Sequence, residues 1–155
     1  MQRKRKARTL AANDASKLRV GIVVADYNGD ITGNLLVGAL ETLRARGVRG
    51  DNVRVMHVPG SFEIPLGCLQ LLASKAKPDA IIALGCVIKG ETKHDEYISH
   101  AVAHALQDLM LTHHVPIGFG VLTPNSLAQA KARSRGKTNK GCEAAAAALA
   151  MIAVH

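Results

Sequence analysis

The chain has 155 residues, which is the size of one domain, and 48% of them are hydrophobic. No apolar run approaches the ~20 residues that cross a bilayer, and residues 1–16 lack the apolar segment of a signal peptide, so we expect a soluble, cytoplasmic protein that makes no membrane contact. Cys68, Cys86 and Cys142 are odd in number and widely separated, which argues against a disulfide framework or a zinc finger and favours free, buried thiols.

The net charge of +8 is concentrated at the N-terminus. Residues 1–9 hold five Lys and Arg and no acid, which leaves 15 basic and 12 acidic residues, or +3, for the rest of the chain. Residues 1–16 show no apolar periodicity and are predicted to be a flexible basic arm, with the folded domain over residues 17–155. Such an arm is either solvated or binds an anionic partner. Nucleic-acid binding is less favoured than the solvated arm.

The first predicted element is a near-continuous apolar strand over residues 18–25, of the kind that is buried on both faces of a parallel sheet. Three similar runs predict further strands at Val53–Val58, Ala80–Leu84 and Pro116–Leu122.

Between these runs apolar residues recur at spacings of three and four, which predicts helices. The first ends at Gly47 and the second before Pro78, while the third spans about Thr92–His113; a short helix near 125–133 and an alanine-rich one from about Lys140 follow. The apolar stripes include Phe62, Leu66 and Leu69 on the second helix and Tyr97 and Ala101 on the third. Alternating strands and helices predict an α/β domain with a parallel sheet and right-handed crossovers. We expect a three-layer αβα sandwich with a four-stranded parallel sheet in flavodoxin-like order.

Ligands of open parallel sheets bind beyond the carboxyl ends of the strands, so the segments that follow the strands are the candidate site. Three of the four aromatic residues lie there: Tyr27, Phe62 and Phe119. Tyr27 and Phe119 are suited to stacking a flat heterocycle; the alternative is that they are ordinary packing residues. Glu63 follows Phe62 and is a candidate hydrogen-bond acceptor in the same crevice.

The segment from Gly85 to His94 resembles a phosphate loop. Glu91 stands where a nucleotide triphosphate site requires Lys, which excludes an NTPase. A glycine-rich turn into a helix still favours a single phosphate, although a plain turn with Thr92 near the N-cap is the alternative. His94, in the first turn of that helix, is a candidate proton carrier or an ordinary surface residue. His100 and His104 are four residues apart and could share a metal ion, but no third ligand is apparent. We therefore interpret them as solvated helix residues.

These motifs resemble the lumazine synthase family over about residues 18–150. The resemblance is carried by Tyr27-Asn28 with Ile31-Thr32, by residues 58–65 (Val-Pro-Gly-Ser-Phe-Glu-Ile-Pro), 83–94 (Ala-Leu-Gly-Cys-Val-Ile-Lys-Gly-Glu-Thr-Lys-His) and 119–123 (Phe-Gly-Val-Leu-Thr), and by Asn139-Lys140-Gly141 before Glu143-Ala144-Ala145.

The resemblance implies a role for each matching residue. Tyr27 is expected to stack on a pyrimidine and His94 to transfer protons. Ser61, Phe62 and Glu63 would contact a ribityl chain, and Cys86, Val87 and Ile88 would line the pyrimidine pocket. The turn Gly90-Glu91-Thr92 would hold a phosphate together with Arg133. Phe119, Arg133 and Lys137 would reach in from an adjacent subunit.

The implied reaction condenses 5-amino-6-(D-ribitylamino)uracil with 3,4-dihydroxy-2-butanone 4-phosphate, in the penultimate step of riboflavin biosynthesis. Phosphate and water leave and 6,7-dimethyl-8-ribityllumazine forms, with no metal or other cofactor expected. The family further implies a homopentamer, and the N-terminal arm is a candidate to extend a neighbour's sheet. The loop before Asn139 is about one residue shorter than is common, which is compatible with a sixty-subunit shell of twelve pentamers.

Asp95 departs from the family pattern, which usually has an aromatic residue after the histidine. It is the one feature that favours an alternative function, a non-catalytic protein that binds a flavin or lumazine without turnover.

Overall fold

The computed structural model describes residues 15–152. This part of the chain contains four strands and five α-helices, in the order β1 (Val20–Ala25), α1 (Gly29–Ala45), β2 (Val53–Val58), α2 (Ile64–Leu72), β3 (Ala80–Cys86), α3 (His94–His113), β4 (Ile117–Leu122), α4 (Leu127–Arg133) and α5 (Lys140–Ile152). Short 3-10 turns at Gly50–Asn52, Ser61–Glu63 and Gly136–Thr138 complete the connections.

The strands form one parallel sheet in the order β2-β1-β3-β4. Val20 pairs with Val53 on one side and with Ala80 on the other, so β1 and β3 are the central strands. Every residue of these two strands is buried, as a parallel sheet covered on both faces requires. The predicted α/β class and flavodoxin-like strand order are confirmed.

Two aliphatic clusters fill the spaces on either side of the sheet. On one face Ile22 and Ile82 pack with Leu35 of α1 and Leu149 of α5. On the other face Val23 and Ile81 pack with side chains of α2 and α3, including Leu71 and Val102. Alternate residues of each central strand therefore serve opposite layers, and the predicted three-layer sandwich is confirmed.

The expectation that β2 is buried on both faces was wrong. Arg54, Val55 and His57 are exposed, because β2 is an edge strand that, within residues 15–152, pairs only with β1. The short helix α2 packs mainly against the central strands, so its cover does not extend over the outer part of this edge.

The apolar stripes predicted for α2 and α3 also differ from the buried faces. A 3-10 turn precedes α2, and the helix then buries Ile64, Gly67, Cys68, Leu71 and Leu72. These residues recur at the helical spacing, so the predicted Phe62, Leu66 and Leu69 lie on the exposed face. On α3, which begins at His94 rather than Thr92, Tyr97 and Ala101 are exposed and only Val102 and Leu106 are fully buried.

The contact of the N-terminal segment with the fold begins before residue 17. Ala15 is buried in the cluster with Leu43 and Val48, and the carbonyl of Ser16 accepts a hydrogen bond from the Asn52 side chain at 2.9 Å. The two residues before the predicted boundary are therefore attached to the domain. Residues 1–14 of the predicted arm lie outside the described residues.

The three cysteines are free, as expected. Cys68 and Cys86 are buried, whereas Cys142 is only half-buried and donates to the Gly38 carbonyl over 3.4 Å. Between residues 15 and 152, no helix has the length and apolar character needed to span a membrane.

Helices α1 and α5 approach closely because Gly141 has no side chain. A Cβ at Gly141 would collide with the carbonyl oxygen of Leu35. The Asn139 amide nitrogen donates to the Asn34 and Ser134 carbonyls at 3.0 and 2.9 Å, while its oxygen accepts from the Gly141 nitrogen at 2.8 Å. The contact is backbone against backbone, so neither helix has a flexible side chain that could yield.

We predict that Gly141→Ala lowers the free energy of unfolding by about 2 kcal/mol, because α5 must move away from α1. Gly33→Ala is the matched control: Gly33 also lies in a helix, but no atom is found within 4 Å of its Cβ position. The control should be more stable than the parent by about 0.5–1 kcal/mol. Urea denaturation of both variants measures the difference, and equal stabilities would contradict the close approach.

Candidate active site

A crevice of about 860 Å³ opens at the carboxyl ends of the central strands. It lies between the segments that follow β1, β2 and β3 and the first turn of α3. Ten of the fourteen residues predicted from the sequence line it: Tyr27, Ser61, Phe62, Glu63, Cys86, Val87, Ile88, Gly90, Thr92 and His94.

The first wall is built by the residues that follow β1. The Tyr27 nitrogen donates to the Pro59 carbonyl at 3.0 Å, which continues the pairing of β1 with β2 beyond the strands. Asn28 adopts a left-handed conformation, with φ 59° and ψ 45°, and its amide donates to the Cys86 carbonyl at 3.0 Å. This side chain joins the end of β1, directly after Tyr27, to the end of β3, and the left-handed conformation is one that Asn adopts readily.

The second wall is the turn after β2. Ser61 is buried, and a Cβ at Gly85 would lie 2.5 Å from its hydroxyl oxygen. The glycine at the end of β3 therefore allows Ser61 to pack against the sheet, while Phe62 and Glu63 remain exposed in the crevice.

The floor is the segment from Cys86 to His94. The Val87 and Lys89 nitrogens donate to the Leu122 and Pro124 carbonyls at 2.8 and 3.0 Å, which holds this segment extended against the chain after β4. The chain then turns, and the His94 nitrogen donates to the Thr92 hydroxyl at 3.3 Å. Gly90 and His94 consequently line one crevice, as the sequence suggested.

The aromatic residues are absent from the core. Tyr27, Phe62, Tyr97 and Phe119, the four aromatic residues of the chain, are 74%, 61%, 73% and 52% exposed. Burial of large rings is strongly favourable, so four exposed rings indicate surfaces that contact a ligand or another chain. None of the four rings is packed in the core.

Tyr97 lines the crevice with Tyr27 and Phe62, and sequence analysis missed it. It had been assigned to the apolar stripe of α3. Its spacing of three from His94 places it on the same side of the helix, which was the available signal. Asn28 and Lys89 also line the crevice and were not singled out as site residues.

Four predicted site residues do not line this crevice. Glu91 is exposed next to the turn. Arg133 is exposed at the end of α4, and Lys137 is exposed in the 3-10 turn that follows. Phe119 on β4 borders a separate hollow of about 270 Å³ with Leu106 and Met110 of α3. A single chain therefore does not bring Phe119, Arg133 or Lys137 to the crevice.

Burial keeps the site cysteine neutral. Burial, and secondarily the negative charge of Asp30, raise the pKa of Cys86 to about 11. Burial alone raises the pKa of Cys68 to about 12. Cys86 therefore contributes an uncharged wall to the crevice rather than a thiolate nucleophile. Among residues 15–152, no group of three His, Cys, Asp or Glu side chains is arranged to hold a metal ion, and His100 and His104 are exposed on α3.

The fold and crevice define a parallel α/β protein with a small-molecule site beyond the carboxyl ends of its central strands, rich in exposed rings and next to a glycine turn. Comparison with known sequences identifies the family. The sequence model of 6,7-dimethyl-8-ribityllumazine synthase matches residues 17–155, and the chain belongs to that family.

Curated relatives cover most of both chains. A 6,7-dimethyl-8-ribityllumazine synthase of Porphyromonas gingivalis is 46% identical over 139 residues, which are 89% of this chain and 86% of the relative. Proteins of the same name from Parabacteroides distasonis and Bacteroides fragilis are each 43% identical, over 90% and 87% of this chain and over 87% and 94% of their own lengths.

We predict that the free energy of unfolding falls as the pH rises above 9. The unfolded thiols of Cys68 and Cys86 ionise near the ordinary pKa of 9.0, whereas the folded ones, with raised pKa values, remain protonated. Above pH 9 the unfolded state therefore binds fewer protons than the folded state. The stability that the protonated thiols contribute below pH 9 is lost as the pH rises towards the folded pKa values. Urea titrations between pH 8 and 11 measure the slope. Cys68→Ala should show a shallower fall, and an unchanged slope would contradict this account.

Proposed function

We propose that this protein forms 6,7-dimethyl-8-ribityllumazine in the crevice beyond β1 and β3, from 5-amino-6-(D-ribitylamino)uracil and 3,4-dihydroxy-2-butanone 4-phosphate. The observation that supports it most directly is that one crevice holds Tyr27, Gly90 and His94. These residues provide a ring for a flat reactant, a glycine turn for a phosphorylated one and an imidazole for proton exchange.

The residues divide the crevice between the two substrates. Tyr27 stacks on the pyrimidine, which Cys86, Val87 and Ile88 border, and Ser61, Phe62 and Glu63 contact the ribityl chain. Gly90 and Thr92, with Glu91 at the rim, hold the phosphate where backbone N–H groups and the start of α3 favour an anion.

The chemistry needs positioning and proton transfer. The pyrimidine amine attacks the ketone and water leaves as an imine forms; phosphate is then eliminated and a second condensation closes the ring. Holding both reactants together removes much of the entropic barrier. His94 exchanges protons with the reacting atoms, since its imidazole suits transfer near neutral pH.

A homo-oligomer completes the site. Phe119, Arg133 and Lys137 are exposed and lie away from their own chain's crevice, which suits residues that serve a neighbouring subunit. Arg133 then binds the phosphate as a planar, charged donor. In the part of the chain that the structure describes, β2 pairs only with β1, so its outer edge can pair with a neighbour's N-terminal arm. We infer a pentamer, and a shell of twelve pentamers as its larger assembly.

The enzyme assay tests this function and distinguishes it from non-catalytic binding. Mixing the protein with both substrates should give lumazine fluorescence well above the uncatalysed rate. His94→Ala should lower kcat by about a hundredfold or more, because the proton carrier is lost, while pyrimidine affinity measured by calorimetry stays within about twofold. Binding without turnover by the parent protein would support the non-catalytic alternative, and equal loss of rate and affinity would remove His94 from proton transfer.

Shared sites predict complementation between two inactive variants. His94→Ala damages a subunit's own crevice, whereas Arg133→Ala damages the contribution to its neighbour. Coexpressed in one assembly, an Arg133→Ala subunit can supply the intact crevice and a His94→Ala subunit the intact arginine, so activity should reappear. Mixing two preparations of His94→Ala is the control and should stay inactive. Failure of the mixed assembly to recover activity would place Arg133 outside the neighbour's site.

A further inference from the structure

Asp95 lies in the crevice beside the turn that we assign to the phosphate. Its Oδ1 atom is 3.4 Å from the backbone nitrogen of Gly90, which donates a hydrogen bond to it. The residue is half-buried and lines the crevice with Gly90, Thr92 and His94. The Gly90 N–H group, which would donate to a phosphate oxygen, thus already donates to a carboxylate.

The charge of this carboxylate is not balanced by an ion pair. Over residues 15–152, the Asp95 oxygens have no Lys, Arg or His nitrogen within 4 Å. Lys89 lines the same crevice but forms no ion pair with Asp95. An anion that approaches Gly90 therefore meets a carboxylate that no ion pair within 4 Å neutralises, and an N–H donor that this carboxylate already engages.

We propose that Asp95 weakens phosphate binding in the crevice, by competing for the Gly90 N–H group and by repelling the anion. The inference rests on the proposed function, which places the phosphate at this turn. Asp95 acts here as a residue that sets affinity for the phosphorylated substrate and promotes the departure of inorganic phosphate. As the phosphate leaves, the carboxylate takes back the Gly90 hydrogen bond.

Titration of the full-length protein with inorganic phosphate tests this role. Asp95→Asn keeps an oxygen that can accept from Gly90 but removes the charge, so affinity should rise about fivefold, as expected for a partly exposed charge. Asp95→Ala removes both the charge and the competing acceptor and should raise affinity at least as much. Glu96→Gln is the matched control, because Glu96 is an exposed neighbour on α3 outside the crevice. It should change affinity by less than about twofold.

Kinetics separates this role from a structural one. In Asp95→Asn the KM for 3,4-dihydroxy-2-butanone 4-phosphate should fall while the KM for the pyrimidine is unchanged. If Asp95 instead organises the turn, Asp95→Ala will bind phosphate more weakly than the parent, and that result overturns the proposal. Unchanged phosphate affinity in both variants also overturns it, even where the parent makes lumazine normally. A parent protein that makes no lumazine contradicts the proposed function itself.

Discussion

The parallel pairing of β1 with β3 is the constraint on which the rest of the structure depends. Val24 lies opposite Leu84, so the two strands end at the same edge and their following segments must diverge around a shared opening. The hydrogen bond from the Asn28 amide to the Cys86 carbonyl, 3.0 Å long, fixes the distance between these segments. It joins the segment that carries Tyr27 directly to the segment that leads to the glycine turn. The crevice is therefore a consequence of strand register, held by the side chain of Asn28, whose backbone adopts a left-handed conformation.

The core contains no aromatic residues, so the rings are available to line the crevice. Aliphatic side chains fill both faces of the sheet, and close packing at Gly85 and Gly141 replaces the bulk that aromatic residues usually provide. Tyr27, Phe62 and Tyr97 then stand at the crevice, where a flat heterocycle can bury the ring surface that the fold leaves exposed. The neutral thiol of Cys86 continues the apolar surface between them. Stability and recognition thus draw on different residue types in this chain.

Sequence reasoning anticipated the fold and most of the crevice, because both follow from local rules. Apolar runs mark parallel strands. The segments that follow them meet at one edge of the sheet, however the helices pack. The failures concern side chains whose burial depends on tertiary neighbours. Phe62 and Leu66 fit a helical stripe, yet the 3-10 turn before α2 sets a different buried face. Tyr97 lies at the crevice because only the middle of α3 is covered, and the contact of Asp95 with Gly90 depends on a turn whose shape no spacing specifies. The roles that we propose for Phe119 and Arg133 depend on a second chain.

A crystal structure of the protein with bound 6,7-dimethyl-8-ribityllumazine tests the central claim most directly. The account predicts that the lumazine ring lies in van der Waals contact with the Tyr27 ring, with its ribityl chain towards Ser61 and Glu63, and with Phe119 of an adjacent subunit closing the opening. A lumazine ring bound away from Tyr27, or a crevice closed entirely by its own chain, would contradict the account.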